Sequence, residues 1–399
     1  MDVQKTSAWK AAEWDYCGIQ ADLRMAAFWS PPTAAEVVDR LKRIARRCPQ
    51  FYPAVMELGL SLLPRKGDRG AVRMIEKGFG LMVELAEPEH FAEEMDGVIE
   101  NLEKLWRFDI SRRLLEKLAD RRSLSATLYD SLAHAAARLG DLGAAQRHID
   151  VALRLEPRNK NFWCNKGLYH LMAGELKAAG IALLQARQLE PKDPVVLGNL
   201  EIHKYLGKHG GNYFDYLLRP LDRKRIERLA DQEKWEQVDS LRADYNDCRM
   251  EAFAQSILLE SGEMRSRLPD HLATLRVFFR FVEDIDSSGA FLNEDLALVH
   301  MNFKPIMHKF IFKFGDVDRE MLEDVFEALM AYYGFLASRR IVDAADFKDF
   351  EKVIGDMKGD LIGKMERYNA IRHDKTMEEE QKEALREELF EGDHAWPHI

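Results

Sequence analysis

Small and apolar residues recur in the middle of the chain at a fixed interval of 34 residues, with charged residues between them. The segments 126–159 and 160–193 carry the same residues at equivalent positions. The matched pairs are Gly140 and Gly174, Ala145 and Ala179, Ala152 and Ala186, Leu155 and Leu189, Glu156 and Glu190, and Pro157 and Pro191. A period of this length is typical of stacked helical hairpins, because one hairpin is too small to bury its own apolar face. We therefore predict an array of helical hairpins centred on these two segments.

Weaker copies of the pattern extend the predicted array in both directions. Residues 52–85 keep several small and apolar positions, residues 92–125 keep only the apolar ones, and residues 194–207 match a first helix ending at Gly207. We expect about four to six hairpins within residues 30–262. The glycine-rich stretch 207–212 interrupts them, because glycine-rich stretches favour turns and breaks.

Residues 1–29 precede the array and are rich in aromatic side chains, including Trp9 and Trp14. We predict a capping helix that packs these aromatic rings on the first repeat. The alternative is an exposed aromatic anchor for a partner, since aromatic residues are enriched at protein interfaces.

A second helical region follows the array. Apolar residues from 268 to 372 recur at helical spacing without the 34-residue period, which predicts a bundle of five or six helices. Residues 373–399 form a charged helix and tail, and Thr376 with Glu379 matches a capping box at the start of that helix. No strand-like alternation is present. The predicted fold is all-α, with a helical-hairpin superhelix followed by a C-terminal bundle.

The repeat resembles the tetratricopeptide repeat family. The resemblance rests on Gly or Ala at the eighth position of each unit, Ala at the twentieth and twenty-seventh, and Pro at the thirty-second. It implies a non-enzymatic scaffold whose first helices line a concave groove for a partner protein or peptide. By the resemblance, the groove residues are His134, Asn161, Cys164, Leu168, Leu171, Ile202 and Tyr205.

The implied groove differs from the family's best-known one, which clamps a terminal carboxylate with Lys and Asn side chains. Only Asn165 and Asn199 partly match that set. The lining is mostly apolar, which suits a partner's helix or a hydrophobic peptide. The alternative is that the C-terminal bundle or its acidic tail fills the groove.

Charge and cysteine usage narrow the class of partner. A formal net charge of -10 argues against nucleic acid or an anionic membrane as the general partner, although a local basic patch remains compatible with it. The four cysteines are far apart and fit reduced core residues of a cytoplasmic protein. No apolar run reaches the roughly 18 residues of a membrane span. We recognise no catalytic signature and expect no cofactor.

The segment 284–295 resembles an EF-hand calcium loop. Its oxygen ligands would be Asp284, Asp286, Ser288 and Asp295. Asp295 stands where a longer Glu normally binds the ion with both oxygens, and no paired loop is present. We favour an ordinary corner between two helices. The alternative is a calcium-responsive regulator, and a calcium titration distinguishes the two.

Overall fold

A computed structural model describes residues 3–25, 32–63, 69–260, 263–285, 291–314 and 317–391. Within these ranges the chain forms 20 α-helices, one short 3₁₀ helix and no strand, which confirms the predicted all-α class. The first twelve helices are α1 (Ser7–Arg24), α2 (Ala34–Arg47), α3 (Tyr52–Leu62), α4 (Arg69–Leu85), α5 (Pro88–Lys104), α6 (Phe108–Ala119), α7 (Ala126–Arg138), α8 (Leu142–Leu155), α9 (Lys160–Met172), α10 (Leu176–Leu189), α11 (Pro194–His209) and α12 (Tyr213–Leu217). The others are α13 (Arg223–Asp231), α14 (Trp235–Leu259), α15 (Glu263–Ile285), α16 (Leu296–Met301), α17 (Phe303–Phe314), α18 (Arg319–Ser338), α19 (Ala344–His373) and α20 (Glu379–Phe390).

The helices form two compact units. The first unit comprises Met1–Tyr216 and Leu258–Arg267, and the second comprises Leu217–Ile257 and Leu268–Ile399. The division therefore falls within three helices, namely the short α12 and the long α14 and α15. Residues 217–257 belong to the second unit, whereas the sequence pattern predicts them to be part of the repeat array, residues 30–262.

In the first unit, the helix boundaries recur at the interval seen in the sequence. Helices α7 and α9 begin and end 34 residues apart, and so do α8 and α10. Gly140 and Gly174 join the helices of each pair with φ angles of +83° and +74°. These angles favour glycine, because a Cβ atom crowds the backbone in this conformation.

Small residues let paired helices of the first unit approach closely. A Cβ atom on Gly167 of α9 would lie 2.6 Å from Leu183 of α10, and one on Gly59 of α3 would lie 2.7 Å from Ile75 of α4. The neighbouring pairs also meet through their first helices, since α7 contacts α5 and α9, and α9 contacts α11. Helices α5, α7, α9 and α11 therefore form a row.

Aromatic rings fill the core of the second unit. Tyr332 and Tyr333 of α18 are fully buried, and the rings of Phe253 and Phe279 each lie 5.4 Å from the Tyr332 ring. Helix α20 contacts α19 and buries Leu389 and Phe390 at its end. The apolar end of the charged tail is thus docked within its own unit.

Two predicted helix ends differ from the structure. Helix α11 passes Gly207 and ends at His209, because Gly210 adopts a φ of +78° and stops the helix there. Helix α20 begins at Glu379, and Thr376 does not cap it. The Thr376 hydroxyl instead donates a hydrogen bond to Asp374 at 2.6 Å, within the preceding turn.

Candidate functional site

The candidate site is the surface of α7, α9 and α11, which we call the α7–α11 face and define by His134, Asn161, Leu168, Ile202 and Tyr205. Asn161 is exposed, and the other four residues are half-buried. Two further residues implied by the family resemblance, Cys164 and Leu171, are only 3% and 0% exposed and pack in the core formed by α9, α10 and α11. Five of the seven predicted groove residues are therefore at least partly exposed, and two are buried.

Equivalent hydrogen bonds join the helices beneath this face. The Asn165 side chain of α9 donates to the Asp130 carboxylate of α7 at 2.9 Å. The Asn199 side chain of α11 donates to the Cys164 sulfur of α9 at 3.1 Å. Asn165 and Asn199 are the residues that partly match the family's carboxylate clamp, but here both bind the neighbouring helix.

Polar groups cluster at the α5–α7 end of the face. His134 Nδ1 lies 3.3 Å from Glu103 Oε2. Burial raises the pKa of Asp130 above its ordinary value, and the nearby charge of Glu103 adds to this effect, while Asn165 and His134 oppose it. The cluster thus holds a carboxylate that is costly to ionise.

Two buried oxygens in this cluster lack hydrogen-bond partners among the described residues: the Tyr169 hydroxyl and Glu103 Oε1. Burial also raises the pKa of Tyr169, so its hydroxyl stays protonated. Buried polar atoms of folded proteins are nearly always hydrogen-bonded. Both atoms are shielded from the surface, so any group that hydrogen-bonds to them has to lie inside the cluster.

The other end of the face is apolar. Leu168 and Ile202 expose part of their side chains, and the Tyr205 ring stacks on His209 at 4.4 Å and meets Tyr216 edge-on at 5.4 Å. Val195, at the start of α11, is 64% exposed. This end offers apolar contact area beside the polar cluster.

The calcium-loop hypothesis falls largely outside the described residues. Asp286 and Ser288 lie outside them, and so does the side chain of Asp284. Asp295 accepts a hydrogen bond from the Leu292 backbone nitrogen at 3.2 Å. The adjacent carboxylate, Glu294, pairs with Arg249 at 2.8 Å. Over the ranges that the structure describes, no group of three His, Cys, Asp or Glu residues is placed to hold a metal ion.

The sequence pattern did not predict that Glu103 and Tyr169 belong to the polar cluster. Glu103 belongs to α5, in the copy of the repeat that has lost its small residues, and it meets His134 across 31 residues of chain. The alternation of apolar and polar positions does not predict a contact between two residues so far apart in the sequence.

Comparison with known proteins adds no family assignment. No protein-family model matches the chain, and no curated protein matches it. In the part of the chain that the structure describes, no helix is both long and apolar enough to cross a membrane.

Proposed function

We propose that this chain is a non-enzymatic scaffold of the tetratricopeptide type. In this proposal the hairpins of the first unit form a superhelix, and the α7–α11 face binds a helix or peptide of a partner protein. The recurrence of helix boundaries at 34 residues and the row of α5, α7, α9 and α11 support the superhelix. The free thiols of all four cysteines suit a reducing compartment, and we place the protein in the cytoplasm.

The observation that carries the binding proposal is an apolar, partly exposed surface beside the half-buried pair of His134 and Glu103 on one face. A polar partner group would bind at His134, whose side chain is 39% exposed and lies 3.3 Å from Glu103. Apolar partner residues would pack on Leu168 and Ile202. An apolar anchor beside a few fixed polar groups is the usual arrangement at a peptide-binding surface.

Affinity capture with the full-length chain tests the proposal. A variant with Asn161→Arg, Leu168→Glu and Val195→Arg changes the face at exposed or half-buried positions. The matched control, Ile181→Glu with Leu184→Glu, changes α10, where these side chains are 71% and 52% exposed. Captured proteins are compared by quantitative mass spectrometry, and thermal unfolding verifies that each variant is folded.

We expect the wild type and the α10 control to capture the same partner and the face variant to lose it. Loss of the partner in the α10 control alone would show that the binding surface is on α10 instead. Equal capture by all three proteins would contradict the proposal.

A further inference from the structure

The chain is acidic overall, but one helix near its start presents a dense positive surface. Helix α2 buries Val37, Val38, Leu41 and Ile44, whose spacing of three and four residues places them on one side. Its last two turns carry Arg40, Lys42, Arg43, Arg46 and Arg47. This basic segment, 40–47, is about 10 Å long.

Local carboxylates neutralise only part of the basic segment. Arg40 pairs with Asp22 at 2.5 Å, Lys42 pairs with Asp39 at 3.2 Å, and Arg47 pairs with Asp15. Arg43 and Arg46 are exposed, and neither has an ion-pair partner in the described part of the chain. Two guanidinium groups are therefore available to an anionic ligand.

An exposed tryptophan stands beside these two arginines. Trp9 and Trp14 of α1 are five residues apart, so they point about 140° away from each other around the helix. Trp9 is 6% exposed and packs against Phe51, while Trp14 is 82% exposed. Of the two interpretations of the N-terminal aromatics, the capping role therefore fits Trp9 and the anchor role fits Trp14.

Trp14 and the arginines line one cleft between α1 and α2. The cleft has a volume of about 640 Å³, and its lining includes Trp14, Arg43 and Arg46. A second cleft of about 730 Å³ continues along α2 and shares both arginines. Tryptophan and arginine are the residue types most enriched among the energetically important positions of protein interfaces.

We propose that this cleft binds an acidic peptide segment of a partner protein, whose carboxylates pair with Arg43 and Arg46 and whose apolar side chain packs on Trp14. The basic segment has room for only a few peptide residues. A long polyanion such as nucleic acid fits less well, because it would extend beyond the short basic segment onto the acidic remainder of the chain, which repels it. Three carboxylates also line the two clefts, but each has a partner of its own: Asp15 pairs with Arg47, Asp39 pairs with Lys42, and Glu36 accepts hydrogen bonds from Thr33.

Fluorescence anisotropy on the full-length chain tests the assignment. The probe is a fluorescein-labelled peptide of alternating Glu and Ala with a central Leu, and the control probe has Gln at every Glu. The variants are Arg43→Gln with Arg46→Gln, and Trp14→Ala. The matched control is Arg154→Gln with Arg187→Gln, which removes the same charge from exposed positions on α8 and α10.

We expect the acidic peptide to bind the wild type and the α8–α10 control with equal affinity, and more weakly as salt is added. The double cleft variant should raise the Kd about tenfold or more, and Trp14→Ala should raise it at least about threefold. The Gln peptide should not bind. All of the altered residues are exposed, so the thermal unfolding midpoints should match.

Four results would overturn the proposal. They are no binding of the acidic peptide to the wild type, equal weakening in the α8–α10 control, equal binding of the Gln peptide, and tighter cleft-dependent binding of a single-stranded oligonucleotide. Self-association that the double cleft variant abolishes would instead assign the cleft to a second copy of this chain. Sedimentation velocity of the same proteins measures that outcome.

Discussion

Asn165 donates a 2.9 Å hydrogen bond to Asp130, joining α9 to α7 beneath the proposed binding face. Exactly one repeat period later in sequence, Asn199 makes the corresponding bond to Cys164 at 3.1 Å. The same donor therefore meets a carboxylate at one junction and a sulfur at the next. Because a carboxylate is a much stronger acceptor than sulfur, these two junctions allow a matched comparison.

Replacing each asparagine with alanine should destabilise the first unit to different extents. Asn165→Ala leaves a buried carboxylate without its donor and should lower the free energy of unfolding by about 1.5–3 kcal/mol. Asn199→Ala removes a bond to sulfur and should cost less than about 1 kcal/mol. Denaturant unfolding of both variants measures the difference. Equal losses would show that the acceptor's charge is unimportant at these junctions.

The pH dependence of stability should report the burial of Asp130. Its pKa is raised in the folded state from 3.8, mainly by burial, so the folded chain binds more protons than the unfolded chain between the two pKa values. The contribution of this group to stability is therefore highest below pH 3.8 and declines as the pH rises through the folded pKa.

Asp130→Asn should remove this decline and keep an acceptor for Asn165. We expect the variant to be at least as stable as the wild type at pH 7 and to lose that advantage toward pH 4. Asp120→Asn, at an exposed position of the same unit, controls for the loss of one charge. Denaturant unfolding at both pH values provides the measurement. A wild type that is more stable than Asp130→Asn at pH 7 would contradict the argument.

Local patterns predicted the helices of the first unit well. Gly140 and Gly174 mark the turn within each pair, and the Asp141 side chain accepts a hydrogen bond from the Ala144 backbone nitrogen at the start of α8. Each of these signals comes from a few neighbouring residues, so it can be recognised in the sequence without knowing how the helices pack. The stretch after Gly207 was harder to predict, because a helix tolerates one glycine and ends only where the backbone conformation changes.

The sequence pattern did not predict the polar cluster or the basic cleft. Glu103 and His134 meet across separate repeats, and Arg43 and Arg46 are notable only because the neighbouring cations have partners. Both features depend on which helices become neighbours. The periodicity of a single sequence does not predict which helices become neighbours.

Alanine should be destabilising at both turn glycines, because both have a positive φ angle. Gly174→Ala places a Cβ atom in a left-handed conformation with no atom nearer than 3.8 Å, and should cost about 1–2 kcal/mol. Gly140→Ala should cost a similar amount, because the atom 2.7 Å from its Cβ is the end of the Leu259 side chain, which is 54% exposed and can move aside. Gly143→Ala within α8 is the control, and helix propensity should leave it neutral or slightly stabilised. A thermal unfolding midpoint of either turn variant at or above that of Gly143→Ala would contradict this prediction.

A buried arginine should be important to the second unit. Arg249 is 1% exposed and donates to Glu294 at 2.8 Å, to the Leu217 carbonyl at 2.5 Å and to the Arg219 carbonyl at 2.8 Å. Arg249→Met leaves Glu294 and both carbonyls without this donor, so it should cost about 3–5 kcal/mol.

An exposed ion pair in the same unit provides the control for Arg249. Arg319 pairs with Glu366 at 3.1 Å, and their side chains are 62% and 56% exposed. Arg319→Met should cost about 0–1 kcal/mol, because water screens the pair. Chemical denaturation of both variants measures the comparison. Similar losses would show that the buried network contributes little.

Helix α20 should depend on its aromatic end more than on its charges. Phe390 is 0% exposed, and its ring centroid lies 5.2 Å from that of Tyr368 and 5.6 Å from that of His308. Next to it, Glu391 accepts hydrogen bonds from Lys304 at 2.6 Å and from Lys364 at 3.0 Å, which lower its pKa to about 2. The ion pairs are partly exposed, with the Glu391 side chain 53% exposed, so water screens them.

Phe390→Ala should therefore cost about 3–5 kcal/mol and release α20 from α19, since the ring cannot be replaced in its pocket. Glu391→Gln should cost less than about 1 kcal/mol. The lowered pKa of Glu391 means that its small contribution is present above pH 4.5 and is lost as the pH falls toward 2. Hydrogen exchange of the backbone amides in 379–390 measures the docking of α20 directly. Faster exchange in Glu391→Gln than in Phe390→Ala at pH 7 would show that charge, not the buried ring, holds this helix in place.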